Sequence, residues 1–215
     1  IQYLQFVVGY SALRAVAALL PIPFLLLPTA RHAPKLAARI GMRRTVPVGL
    51  LLLAVGLGIL SRVGVELNYP LFALGLAIAA AGMGLSGTPS TSAVTSSLPA
   101  SKQGVASAMN DTARELGAAL GIAVLGSALA QTYREAIIPA IAGLPERASQ
   151  AILGSVAFTQ APELAMLGAR GQQLAALGRQ AFVDGIAAAL TIASAFAAVM
   201  AVVVLVSAPR HREHA

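Results

Sequence analysis

Long apolar runs recur along this chain, and nothing else in it constrains the fold as tightly. Leu13 to Ala30, Val46 to Leu60, Tyr69 to Ser97, Leu116 to Thr132 and Phe182 to Ala208 are almost free of charge. A helix needs about 20 mainly apolar residues to cross ~30 Å of hydrocarbon, so runs of this kind predict membrane spans. The totals agree: 57% of the 215 residues are hydrophobic, 11% are charged, and the mean hydropathy is +0.78. That balance excludes an ordinary soluble core. Strict period-two alternation is missing, which argues against a membrane β-barrel. The expected fold class is all-α, a polytopic transmembrane helix bundle.

Charge placement then orients the spans. Arg31 to Arg44 (RHAPKLAARIGMRR) carries Arg31, Lys35, Arg39, Arg43 and Arg44 with no acid. A short, purely basic connection between spans marks the cytoplasmic side. The net charge of +7 therefore reflects membrane topology, not phosphate binding, and no nucleic-acid partner is expected. Cysteine is absent, which removes disulfides and thiolate sites. His32, His211 and His214 have no metal-ligand spacing. Glycines in GLGIL and GMGLSG sit within apolar helices and read as packing, not as a nucleotide loop. Neither a cofactor nor enzymatic catalysis is expected.

Taken in order, residues 1–134 are expected to hold the end of one span, Ile1 to Tyr10, and four full spans. Residues 135–181 carry prolines, glycines and charges of both signs, and are expected to form an extracytoplasmic helical cap. Short amphipathic helices are expected there at Pro145 to Leu153 and Glu163 to Leu177. Residues 182–208 form the last span and 209–215 a cytoplasmic tail with Arg210, His211, Arg212 and His214. Pro21 and Pro23 are expected to bend the first full span, and Pro89 the third, because each removes a backbone donor. Gly82, Gly84 and Gly87 permit close helix packing. Asp184 is placed at an outer helix start, where a carboxylate suits the helix dipole. The first residue is Ile1 and no signal segment precedes the first apolar run, so a C-terminal piece of a longer protein is expected.

Ser101 to Arg134 carries the chemistry. Asn110, Arg114, Gly117, Gly121 and Leu125 recur at helical steps and share one face. Gly117 and Gly121 form a GxxxG pair that lets a neighbouring helix approach. Asp111, Arg114 and Glu115 lie roughly two turns inside the segment, where bare charge in lipid is costly. Two readings stay open for Asn110, Asp111, Arg114 and Glu115. One is a charge relay or a gate against another part of the protein. The other is an interfacial helix end, with Arg114 paired locally to Asp111 or Asn110. The hydroxyl run Ser86 to Ser97 either lines a substrate path or bonds back to its own helix.

These residues also carry a family resemblance. GVASAMNDTARELGAALGIAVLGSALA resembles the penultimate helix of the major facilitator superfamily, in particular its fourteen-span drug:proton antiporters. YLQFVVGYSALRAVAALLPIP is similar to the family's passage from its ninth to its tenth span. LAARIGMRR resembles the second-half copy of the loop motif G-x-L-a-D-r-x-G-r-r. There Leu36, Ala37, Arg39, Gly41, Arg43 and Arg44 match, while Ala38 replaces the aspartate and Pro34 the first glycine, so a gating salt bridge through that aspartate is not implied. The resemblance covers all but the cap. It implies a partial major facilitator fold, the C-terminal half, in the cell membrane. It also implies a missing N-terminal half as partner, and export of small amphipathic or drug-like compounds in exchange for protons. A dedicated exporter of one metabolite or antibiotic is the alternative within the class, and a non-transporting membrane scaffold the alternative outside it.

Overall fold

In a computed structural model of the chain, residues 1–160, Leu164 and 168–207 are described. After a π-helical turn at Tyr3–Val7 come α1 (Ala12–Ala17), α2 (Pro21–Ile40), α3 (Met42–Leu60), α4 (Tyr69–Ser96) and α5 (Gln103–Ile137). The short α6 (Glu146–Gly154) and a 3₁₀ segment (Val156–Gln160) precede α7 (Gly168–Ser207). No strand occurs among the described residues. Among the described residues, five helical stretches have the length and composition of membrane spans: Ala12–Ile40, Met42–Leu60, Tyr69–Ser96, Ala100–Ile137 and Gly168–Ser207. The expected tail with Arg210, His211, Arg212 and His214, and Glu163 of the cap, lie outside the described residues.

Local chemistry explains the boundaries. Ser11 caps α1 by accepting from the Arg14 amide at 3.4 Å, and Asn68 caps α4 by accepting from the Leu71 amide at 3.2 Å. Pro21 and Pro23 were expected to bend a helix. The regular helix is interrupted by a turn at residues 18–20, and Pro21 opens α2 at its first position, where its missing N–H costs nothing. Pro89 does lie inside α4, buried, so the backbone gives up one ladder hydrogen bond there. The Arg31 to Arg44 segment is not a loop. α2 runs through it to Ile40, and a single residue, Gly41, separates α2 from α3 with φ of 84° and ψ of 149°. That conformation is accessible essentially only to glycine. Thr45, fully buried, donates its hydroxyl to the Gly41 carbonyl at 3.0 Å and locks the corner.

Pairwise contacts fix the topology. A Cβ built on Gly49 would lie 2.7 Å from the Ser86 amide nitrogen, and one on Gly75 would lie 2.8 Å from Leu60. α3 and α4 are therefore antiparallel and in near backbone contact. Ala15 and Ala18 cluster with Phe72 near the start of α4, and Gly84 further along α4 faces Thr29 and Ala30 of α2, so α2 and α4 run parallel. A Cβ built on Gly185 of α7 would lie 2.8 Å from the Leu129 carbonyl oxygen of α5, and Ser194 of α7 donates to the Ala54 carbonyl of α3 at 2.7 Å. Small residues, not bulky ones, make these crossings, as expected where helices must approach without a hydrophobic driving force. The Gly41 corner, the 97–102 turn and the end of α7 thus share one end of the bundle, the motif end. The 61–68 turn and residues 138–160 share the other, the cap end.

Burial is uneven. In the most apolar window of α3 and of α4, 39% of residues are buried, against 6% for the Ala100–Ile137 span. At the cap end Tyr133, Ile137, Ile141, Ile152, Val156, Leu164, Leu174 and Phe182 form an apolar core. There the Tyr133 hydroxyl donates to the Ile152 carbonyl at 2.8 Å. α6 falls where a short helix was expected. Of the second expected cap helix, Glu163 to Leu177, residues 163 and 165–167 lie outside the described residues, and the part from Gly168 is the first part of α7, which runs unbroken into the last span. Leu174, Ala175 and Ala181 anchor it on the cap core. Asp184 is consequently inside α7, not at a helix start, and accepts from the Gln180 side chain at 2.9 Å.

Candidate functional site

α5 is built to be a helix by its Ala, Leu, Met and Glu content. Its only buried residues are Ala106 near the start and Tyr133 and Ile137 near the end. It therefore touches the bundle at both ends and leaves its middle open. Residues 107–120 are exposed except for the half-buried Asn110. Asp111, Arg114 and Glu115 all fall in this open stretch.

Their contacts are sparse. The Asn110 side-chain amide donates to the Asp111 carboxylate at 3.4 Å, and no ion pair is present among the described residues. The local pairing of Arg114 with Asp111 is thus not formed, although three residues of separation on a helix would allow it. Charges without partners on a helix of membrane-spanning length need water or another protein surface. The Gly117 and Gly121 pair is open as well. Among the described residues no atom beyond its own helix backbone lies within 4 Å of a Cβ built at either glycine, so no described helix packs on them. Gly82 and Gly84 do match the packing expectation, against α3 and α2 respectively. The glycine contacts at Gly49, Gly56, Gly75 and Gly185 are as tight, yet their spacing in the sequence did not mark them out.

Beside this open stretch, at the motif end, an open pocket of about 430 Å³ lies between the end of α4 and the start of α5. Thr95, Ser96, Gln103, Gly104 and Ser107 line it. Gly104, Ser107, Asp111 and Arg114 follow at steps of three, four and three, so the pocket lies at the start of the α5 face that carries the charges. Gln103, Gly104 and Ser107 carry no motif, and only the fold joins them to Thr95 and Ser96 across the 97–102 turn. Much of the hydroxyl run bonds back to its own helix. Ser86, Ser90, Thr95 and Ser97 donate to carbonyls three or four residues back at 2.7 to 3.0 Å, while Thr95 and Ser96 also line the pocket.

The loop-motif residues are placed separately. Leu36 is half-buried, Arg39 and Arg44 are exposed, and Gly41 makes the corner. Arg43 Nε donates to the Leu205 carbonyl at 2.8 Å, tying the corner to α7 near Ser207. Arg14 is also accommodated: its guanidinium lies 4.0 Å above the Tyr10 ring.

Comparison with known proteins sets this geometry in context. The profile described as Major Facilitator Superfamily matches residues 1–122. The chain is 32% identical over 204 residues to the "Multidrug efflux pump LfrA" of Mycolicibacterium smegmatis, covering 94% of this chain and 40% of that protein. It is 29% identical over 212 residues to the "Multidrug resistance protein Stp" of Mycobacterium tuberculosis (93% and 38%). It is also 29% identical over 210 residues to the "Tetracenomycin C resistance and export protein" of Streptomyces glaucescens (94% and 39%). The chain spans about two fifths of the length of these relatives.

Proposed function

From the premise that this chain belongs to the Major Facilitator Superfamily, we propose that it forms the C-terminal part of a secondary transporter that exports small amphipathic or drug-like compounds in exchange for protons. The observation that carries the reading is the open middle of α5, which offers Asp111, Arg114 and Glu115 without ion-pair partners among the described residues, near a pocket lined by Thr95, Ser96, Gln103, Gly104 and Ser107. Such groups at membrane depth suit a path for a charged or protonatable solute. The remaining part of the transporter would supply the second wall of that path. Relatives named for multidrug efflux and multidrug resistance support drug-like substrates. In this reading the protein lies in the cell membrane with the motif end in the cytoplasm, as its excess of Lys and Arg favours.

A second reading, export of one dedicated compound, is favoured by the relative named for tetracenomycin C. Both are tested by measuring efflux from cells that produce the full-length protein, using a panel of fluorescent cations and one antibiotic. Efflux of several unrelated dyes that collapses on adding a proton uncoupler is the expected result. Efflux that persists with the uncoupler would remove the antiport reading, and efflux confined to a single compound would establish the dedicated one.

A further inference from the structure

We propose that an apolar cavity at the cap end is a binding site for a small nonpolar molecule, of the size of xenon or a short alkane. The cavity measures about 100 Å³ and lies where four parts of the chain meet. Tyr3 of the π-helical turn, Leu60 at the end of α3, Val63 of the following turn and Phe72 of α4 line it. Val183 and Ile186 of α7, three residues apart on one helix face, complete the lining from the other side of the bundle.

The void has a structural cause. Toward the motif end α7 is fastened closely to α3: Ser194 donates to the Ala54 carbonyl at 2.7 Å, and a Cβ built on Gly58 would lie 3.4 Å from the Ser194 hydroxyl. At the cap end the facing residues are Leu60, Val63 and Ile186, and bulkier side chains keep helices further apart. Tyr3 does not fall in to fill the gap. Its hydroxyl donates to the Gly64 carbonyl at 2.8 Å, and its ring is tilted by 37° to that of Phe72 with the centroids 6.1 Å apart.

Water is a poor occupant, because a buried water needs about three polar partners. The lining side chains offer one polar atom, the Tyr3 hydroxyl oxygen, whose proton is already given to Gly64. The Leu60 carbonyl is taken by the Val63 amide at 3.2 Å. An apolar cavity of this kind stays dry, and a nonpolar guest supplies the dispersion contacts that its walls lack. An engineered cavity of ~150 Å³ lined by Leu, Ile and Phe takes benzene or xenon. At about two thirds of that volume, this one suits xenon or a short alkane better than an aromatic ring. The cavity is partly open, but its walls come from this chain, and Phe72 and Val183 are only 8% and 4% exposed. Protein or lipid over the mouth closes the site without having to build it. The assignment does not depend on what is transported.

Crystals of the full-length protein pressurised with xenon test the proposal, since xenon scatters anomalously and so reports its own position. An anomalous peak between Tyr3, Phe72 and Ile186 is the expected result. Ile186→Phe fills the space and is expected to lose the peak. Val63→Ala only adds room and is expected to keep the peak at native occupancy or above, which decides the matter where the filled variant fails to fold. No peak at this place in the native protein would overturn the proposal, as would a peak undiminished in Ile186→Phe or absent from Val63→Ala. Density inside the cavity for a water, an acyl chain or a side chain from elsewhere in the full-length protein would also overturn it.

Discussion

Arg114 shows how one side chain can be placed by a fold without being satisfied by it. Its helix brings it near Asp111 and Asn110, yet the hydrogen bond there runs from Asn110 to Asp111. If Arg114 finds its partner on the rest of the transporter or on the solute, Arg114→Ala removes a charged contact worth about 1.5–3 kcal/mol. Efflux by the full-length protein should then fall roughly tenfold or more, with the amount of protein in the membrane near the native level. Equal losses of efflux and abundance would give Arg114 a folding role. The glycines divide in the same way. Gly82→Leu forces a side chain into the Leu53 and Gly49 backbone and is expected to cost about 1–3 kcal/mol or more, read as lower melting temperature in detergent. Gly117→Ala has open space around it and should leave stability unchanged or raise it by up to ~1 kcal/mol. A drop would mean that a helix from elsewhere in the transporter sits on that face.

At the scale of the element, the Gly41 corner joins what hydropathy separates. The basic residues between the first two spans suggested a loop, because charge says where lipid ends but nothing of the backbone. Arg, Lys, Leu and Ala are good helix formers, and only Gly41, with its positive φ, marks the true break. Gly41→Ala is expected to destabilise the corner by about 1–3 kcal/mol. Arg43→Ala should free the last turn of α7, seen as faster amide exchange near Leu205 with the middle of α7 unaffected. The elements themselves were largely legible: each apolar run became helical, the first of them divided between α1 and α2, and the helix expected near Pro145 formed. The pocket was not, since it joins Thr95 and Ser96 to Gln103 and Ser107 around a turn, and no periodicity links residues across a reversal of direction. The glycine pairs were half legible. A GxxxG spacing announces that close approach is possible, not which neighbour is present, so Gly82 and Gly117 read alike in the sequence and differ in the structure.

For the whole molecule, the antiparallel contacts sort the connections into two sets, the motif end and the cap end. The absence of cysteine makes this sorting directly measurable by single introduced cysteines and a membrane-impermeant maleimide in intact cells. Cysteines at Ser61 and Glu135 should label from one side of the membrane, and cysteines at His32 and Ser101 only after the cells are opened. Labelling of Ser61 and Ser101 from the same side would break the proposed crossing pattern. The open flank is a property of this scale too. α3 and α4 form the buried centre while α5 stands as a strut at the edge, so the bundle has a packed side and an unfilled side.

α5 and α7 pass through the bundle and on into the cap without a break, and at ~1.5 Å per residue they are about 52 and 60 Å long. The head they share, with Tyr133 fastened to Ile152, has no swivel between it and the two stems. An antibody fragment that grips this knob would therefore also hold both rods in register, giving a rigid fiducial for imaging and a brake on any rocking that needs the rods to slide.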